Sequence, residues 1–139
     1  MTILIVQGPH AGHRPLGEEI AGGLRQLARK AGHALAISRC EGLRELVGSI
    51  RAARQRHAEF MLIDPGTLAE EARAHPEEGL QEALAELDSP YIDVHDDTDT
   101  ALHVAPPQHG APIATIVING DLATSYRIAL GIALRRLAA

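Results

Sequence analysis

The feature that most constrains this chain is a rhythm: short, almost continuous apolar runs alternate with segments of helical period. "TILIV" (2–6) is a β-rich run closed by a Gly-Pro pair, and "EEIAGGLRQLARKAG" (18–32) then sets Ile20, Leu24, Leu27 and Ala31 three and four positions apart, on one helical face. Gly32 follows a basic last turn, as a helix stop should. "HALAIS" (33–38) reads as a strand, and "GLRELVGSIRAARQR" (42–56) carries a second stripe at Leu43, Leu46, Val47 and Ile50. "EFMLID" (59–64) is a strand stopped by Pro65-Gly66, "EEGLQEALAEL" (77–87) a helix, "PYIDVH" (90–95) and "ATIVI" (114–118) strands, and "SYRIALGIALRRLAA" (125–139) a closing helix. The polar, then Pro-rich stretch 96–113 is the longest irregular connection.

Strands that are continuously apolar are buried on both faces, which is the property of parallel strands covered by crossover helices. The pattern therefore predicts one α/β domain over 1–139, a flavodoxin-like doubly wound sandwich around a five-stranded parallel sheet. In such sheets ligands bind beyond the carboxyl ends of the strands, here the loops that begin at Gln7, Ser38, Asp64, His95 and Asn119.

A net charge of −5, with one Phe, two Tyr and no Trp, excludes the basic face and aromatic platforms that a nucleic-acid binder needs. No stretch reaches the ~18 apolar residues of a membrane span, and "ILIV" is too short for a secretion signal, so the expected location is the cytoplasm and the expected partner a small molecule. The lone Cys40 rules out an internal disulfide and a cysteine zinc cluster, and reads as a small buried apolar side chain.

The strand ends carry the chemistry. His10 and His13 follow the first strand, Asp64 ends the third, and Asp93, His95, Asp96 and Asp97 cluster at the fourth. Imidazoles beside carboxylates suit proton transfer, since a carboxylate orients the ring and supports its charged form. Asp93 and His95, two apart on a strand, leave on one face. "GPHAGH" (8–13) is a poor phosphate cradle: it lacks the spacing of the glycine-rich motifs, and Pro9 removes a backbone donor. A metal held by His10, His13, His95 and an aspartate stays open as a reading. His33 and His57 are expected at the surface.

"ILIVQGP", "SRCEG", "IDPGTL", "SPYIDVH" and "PIATIVI…SYRIALGIALRRL" fall in the order of landmarks of the type II 3-dehydroquinate dehydratases, which the chain resembles along its whole length. That resemblance implies a cofactor-free, metal-free hydro-lyase that assembles as trimers and commonly as a dodecamer. By position, His95 matches the acid that protonates the departing hydroxyl, and Asp93 its orienting carboxylate, one methylene shorter. His10 stands for the asparagine that holds a water at the enolate, and Asp64 for the asparagine that binds ring hydroxyls. His75 matches a substrate-binding histidine if 69–73 are an insertion, and Glu82 then falls where a neighbouring subunit completes the site.

The stretch "HAGHRPLG" (10–17) matches a catalytic lid cut short: it keeps a cation, Arg14, and has no tyrosine to serve as base. Beyond Val94-His95 the chain presents Asp96, Asp97 and Asp99, with no arginine between Arg73 and Arg127. Three readings follow: a diverged lyase in which His10 or His13 is the base, a catalytically inactive binding or scaffolding subunit, and a metal-assisted enzyme. The lyase reading expects His10, His75 and His95 to converge on one cavity.

Overall fold

A computed structural model describes residues 2–10, 17–96, 112–118 and 120–138. Five strands form one parallel sheet: β1 (Thr2–Gln7), β2 (Ala34–Arg39), β3 (Ala58–Asp64), β4 (Tyr91–His95) and β5 (Ala114–Val117), in the spatial order β2-β1-β3-β4-β5. The helices are α1 (Glu18–Lys30), α2 (Leu43–Arg51), α3 (Leu68–Ala74), α4 (Leu80–Ala85) and α5 (Leu122–Ala138), with a 3-10 turn at Pro76–Glu78. No described helix is long and apolar enough to cross a membrane.

Strand alternation divides the core into two layers. Leu4, Val6, Met61, Ile63 and Tyr91 face α2, α3 and α4, whereas Ile3, Ile5, Phe60, Leu62, Ile92 and Val94 face α1 and α5. Central strands buried on both sides explain the continuous apolar runs, and edge strand β2, only half-buried, explains the looser "HALAIS".

Several boundaries differ from the periodic reading. The buried stripe of α1 is Ala21, Leu24 and Ala28, while Ile20 and Leu27 are 37% and 44% exposed, so the helix is rotated from the face that its apolar period marked. α2 ends at Arg51, five residues short, and turns carry the chain to His57 at φ 54°. Residues 69–73, read as an insertion, lie within α3. The expected 77–87 helix is broken at Gly79, whose φ of 88° ends the 3-10 turn before α4 begins. α5 begins three residues early because the Asp121 carboxylate accepts the Thr124 backbone N–H (3.1 Å) and hydroxyl (2.7 Å), capping the first turn. His57 is exposed as expected, but His33 is not: its Nδ1 lies 2.5 Å from Glu59 Oε1, and the pair is largely buried. Cys40 is buried as expected.

The chain passes from β1 to β2 on one side and to β3 on the other, so the sheet's switch point lies where β1 and β3 end. Their exits are packed backbone to backbone. Gly8 N–H donates to Asp64 O (2.6 Å), and Thr67 N–H to Pro9 O (2.8 Å). A Cβ on Gly8 would overlap the Pro65 carbonyl, and one on Gly66 (φ 58°) the Pro9 carbonyl, so glycine is needed in both loops. This clasp sets His10 over the end of β3.

Candidate active site

His10 is the centre of the described site. Its ring is 2% exposed and lies between two carboxylates, with Nε2 2.7 Å from Asp64 Oδ2 and Nδ1 3.1 Å from Asp96 Oδ2. A neutral imidazole can donate from only one nitrogen, so two carboxylate partners call for the doubly protonated ring. Burial works against that charge, but the hydrogen bond and charge of Asp64, then those of Asp96, outweigh it and raise the pKa above 6.5. Asp64 Oδ2 also accepts the Tyr126 hydroxyl at 2.7 Å. Burial first, then the Asp64 charge, pushes the Tyr126 phenol well above its usual range, so it stays a donor. The Gln7 carboxamide lies near enough to this hydroxyl to favour its ionised form, yet neither amide atom completes a hydrogen bond among the described residues.

Asp93 and His95 are buried on β4. By alternation they share the face of Tyr91, toward α2 to α4, whereas Asp64 faces α5 through Tyr126. Burial alone raises the Asp93 carboxyl from 3.8 to about 7, the range in which a group can both give and take a proton. Burial, then the Asp93 charge, raises the Tyr91 phenol as well. The carbonyl of His95 is tied to α5 by the Ser125 hydroxyl (3.3 Å), and the Asp96 carbonyl accepts Gly120 N–H (2.9 Å), so both residues sit on a fixed strand end.

The structure thus joins His10, Asp64 and Asp96, with His95 and Asp93 at the neighbouring strand end, and does not bring the other assignments into that group. Asp64 is fully buried, and its Oδ2 is taken by both His10 and Tyr126. His75 is exposed after α3, its Nδ1 2.9 Å from Glu77 Oε1, because a helix of this length carries it about 10 Å along its axis. Glu82 is exposed on α4. His13, Arg14 and Asp97 lie outside the described residues. Among the described residues no group of three His, Cys, Asp or Glu side chains is arranged to hold a metal, and a ring that donates from both nitrogens has no lone pair to offer one.

Gln7 and Tyr126 are additions that sequence reasoning missed. Gln7 is the last residue of a strand and Tyr126 the one phenol of a helix, and only strand order and packing reveal what each meets.

The family model for Dehydroquinase class II matches residues 1–134. The chain belongs to this family. It is 34% identical over 152 aligned positions to 3-dehydroquinate dehydratase 1 of Pseudomonas putida, covering 99% of this chain and 95% of that one. The 3-dehydroquinate dehydratase of Stutzerimonas stutzeri is also 34% identical, with 99% and 98% covered. The fold is that of solved type II dehydroquinases: from Butyrivibrio crossotus, TM-score 0.74 at 16% identity over 97% of both chains, and from Propionibacterium acnes, TM-score 0.67 at 19% identity over 96% of both. Within the type II dehydroquinase family, then, this chain is one whose first loop sets a doubly bonded histidine at the sheet's switch point.

Proposed function

We propose that this chain is a hydro-lyase that eliminates water from 3-dehydroquinate or a related cyclic polyol acid, without a cofactor, in a trimer-based homo-oligomer. The observation that carries the reading is the His10 imidazolium held between Asp64 and Asp96 at the carboxyl ends of β1, β3 and β4, where Asp96 directly follows His95 in the chain. In the elimination a base takes the proton beside the ketone, the electrons pass through an enolate, and the C–O bond breaks as an acid protonates the departing hydroxyl. His95 is that acid, and Asp93, buried on the same strand face, is its positioning carboxyl. His10 is unsuited to be the base, because both its nitrogens already carry protons committed to carboxylates. It serves by placing positive charge near the enolate and by aiming Asp96. The base is then His13 in the shortened lid, with Arg14 as the lid cation and Asp97 beside Asp96 as a contact for ring hydroxyls. The exposed His75 and Glu82 face a neighbouring subunit in this reading.

The test is direct: addition of 3-dehydroquinate yields the ultraviolet absorbance of a conjugated enone, and His95→Ala abolishes it. Silence of the wild type at high enzyme concentration removes this substrate. A second reading, an inactive binding or scaffolding subunit, is favoured by one observation: no tyrosine stands between Gly8 and the first helix. It fails if His95→Ala abolishes turnover of any ring polyol acid.

A further inference from the structure

We propose that Arg39, at the carboxyl end of edge strand β2, holds the ligand's carboxylate, so that the ring's ketone and hydroxyls are directed toward His10, Asp96 and the end of β4. The proposal rests on the hydro-lyase reading for its substrate class. It rests on strand register for its geometry.

Gln7 is the register partner of Arg39 on one side and of Asp64 on the other. The three therefore form a row across the sheet's edge, on the face covered by α1 and α5. Neighbouring strands lie about 4.8 Å apart, which puts the Arg39 backbone about 10 Å from that of Asp64, a span that one ring and an arginine side chain can bridge. The effect of Arg39 reaches the buried hydroxyl of Tyr126, which is bonded to Asp64. Within the row only Arg39 is open to solvent: its side chain is 40% exposed, while Gln7 and Asp64 are buried. Beside it on β1 is Gln7, whose carboxamide is buried with neither amide atom hydrogen-bonded among the described residues, an amide able to serve a ligand group that enters the row.

Charge settles the direction. The far end of the edge carries the Asp96 carboxylate, and no arginine occurs in the sequence between Arg73 and Arg127. A ligand carboxylate placed there meets like charge, whereas at β2 it meets a planar guanidinium suited to bidentate pairing. The ion pair from Arg39 Nη2 to Glu18 Oε1 is long, 3.8 Å, and Glu18 is highly exposed, so a ligand carboxylate can replace it. Glu18 opens α1 directly after the shortened lid, and so the exchange occurs where that loop joins the helix.

The experiment is calorimetric titration of the full chain with quinate, a cyclic polyhydroxy carboxylate without the ketone, and with its methyl ester. Wild type should prefer quinate by about tenfold or more, the range of a charge-assisted pair. Arg39→Ala should erase the preference, Arg39→Lys should restore part of it, and Glu18→Gln, which removes the competing carboxylate, should leave quinate binding as tight or tighter. Melting curves of each variant check folding. Undiminished quinate binding by Arg39→Ala overturns the proposal. If wild type turns over 3-dehydroquinate and Arg39→Ala leaves KM unchanged, the anchor is wrong and the lyase reading stands. If quinate binding requires Arg39 but no turnover is seen, the anchor stands and the lyase reading loses that substrate. A wild type that binds neither compound overturns both.

Discussion

His10 and Asp64, 54 positions apart in the chain, share a buried 2.7 Å contact that closes the loop after β1 onto the end of β3. The same Asp64 oxygen takes the Tyr126 hydroxyl, and the other His10 nitrogen takes Asp96. One imidazolium thus binds two carboxylates from different strands, and helix α5 is attached to the arrangement through a phenol. Removing one partner of such a group leaves a buried charge uncompensated.

His10→Asn should cost about 3–5 kcal/mol at pH 6, the penalty typical of breaking a buried ion pair. The sign of the pH effect follows from the raised histidine pKa. The pair's stabilisation is complete below 6.5, the ordinary value, and is lost as pH rises through the higher folded value. Urea unfolding of wild type from pH 6 to 9 should show that decline, and His10→Asn should keep only the smaller fall that Asp93 contributes at the acidic end of the window. A wild type equally stable at both ends contradicts the charged state assigned to His10.

Asp93 gives a dependence of the same sign in a lower window. Its carboxyl is raised from 3.8 to about 7, so the folded protein keeps a proton that the unfolded chain has released. Stability therefore falls between about pH 4 and pH 7 and levels off above, with a ceiling on the order of 4 kcal/mol. Asp93→Asn should flatten this slope and be the more stable protein, relative to wild type, at pH 8 than at pH 4. In turnover, the limb with an apparent pKa near 7 should move in the same variant if Asp93 positions His95.

Tyr126→Phe removes one donor from Asp64 and changes little else in shape. The loss should be about 1–3 kcal/mol by chemical denaturation, the cost of leaving a buried acceptor short of a partner. A double-mutant cycle with His10→Asn should give a coupling above about 0.5 kcal/mol, because both side chains act on one oxygen. Additive losses would show that they act separately.

Gly66→Ala tests the clasp that sets His10. The position has φ 58°, the new Cβ would overlap the Pro9 carbonyl, and it would lie 3.2 Å from His10 Nε2. We expect a loss of more than about 2 kcal/mol, from backbone strain and steric overlap together, with turnover reduced beyond what the stability loss explains. Gly48→Ala is the control: it sits exposed in α2 with nothing within 4 Å of the new Cβ and should stabilise by about 0.5–1 kcal/mol.

Element order and the parallel sheet were legible in the sequence because burial is recorded locally. "ILIV" and "FMLI" are apolar without alternation wherever they lie in the fold, and the glycines and prolines at 8–9 and 65–66 mark both strand exits. The strand ends that bear His10, Asp64, His95 and Asp96 followed from the same rule. What tertiary structure alone decided is which of these groups meet. Putting β1 between β2 and β3 sets Gln7 between Arg39 and Asp64, strand alternation turns Asp93 away from Asp64, α3 carries His75 out to solvent, and the packing of α5 brings Tyr126 to a carboxylate 62 residues away. A side chain's apolar character belongs to its own position, but its hydrogen-bond partner and ionisation depend on residues brought near by strand order and helix packing, which local periodicity does not specify.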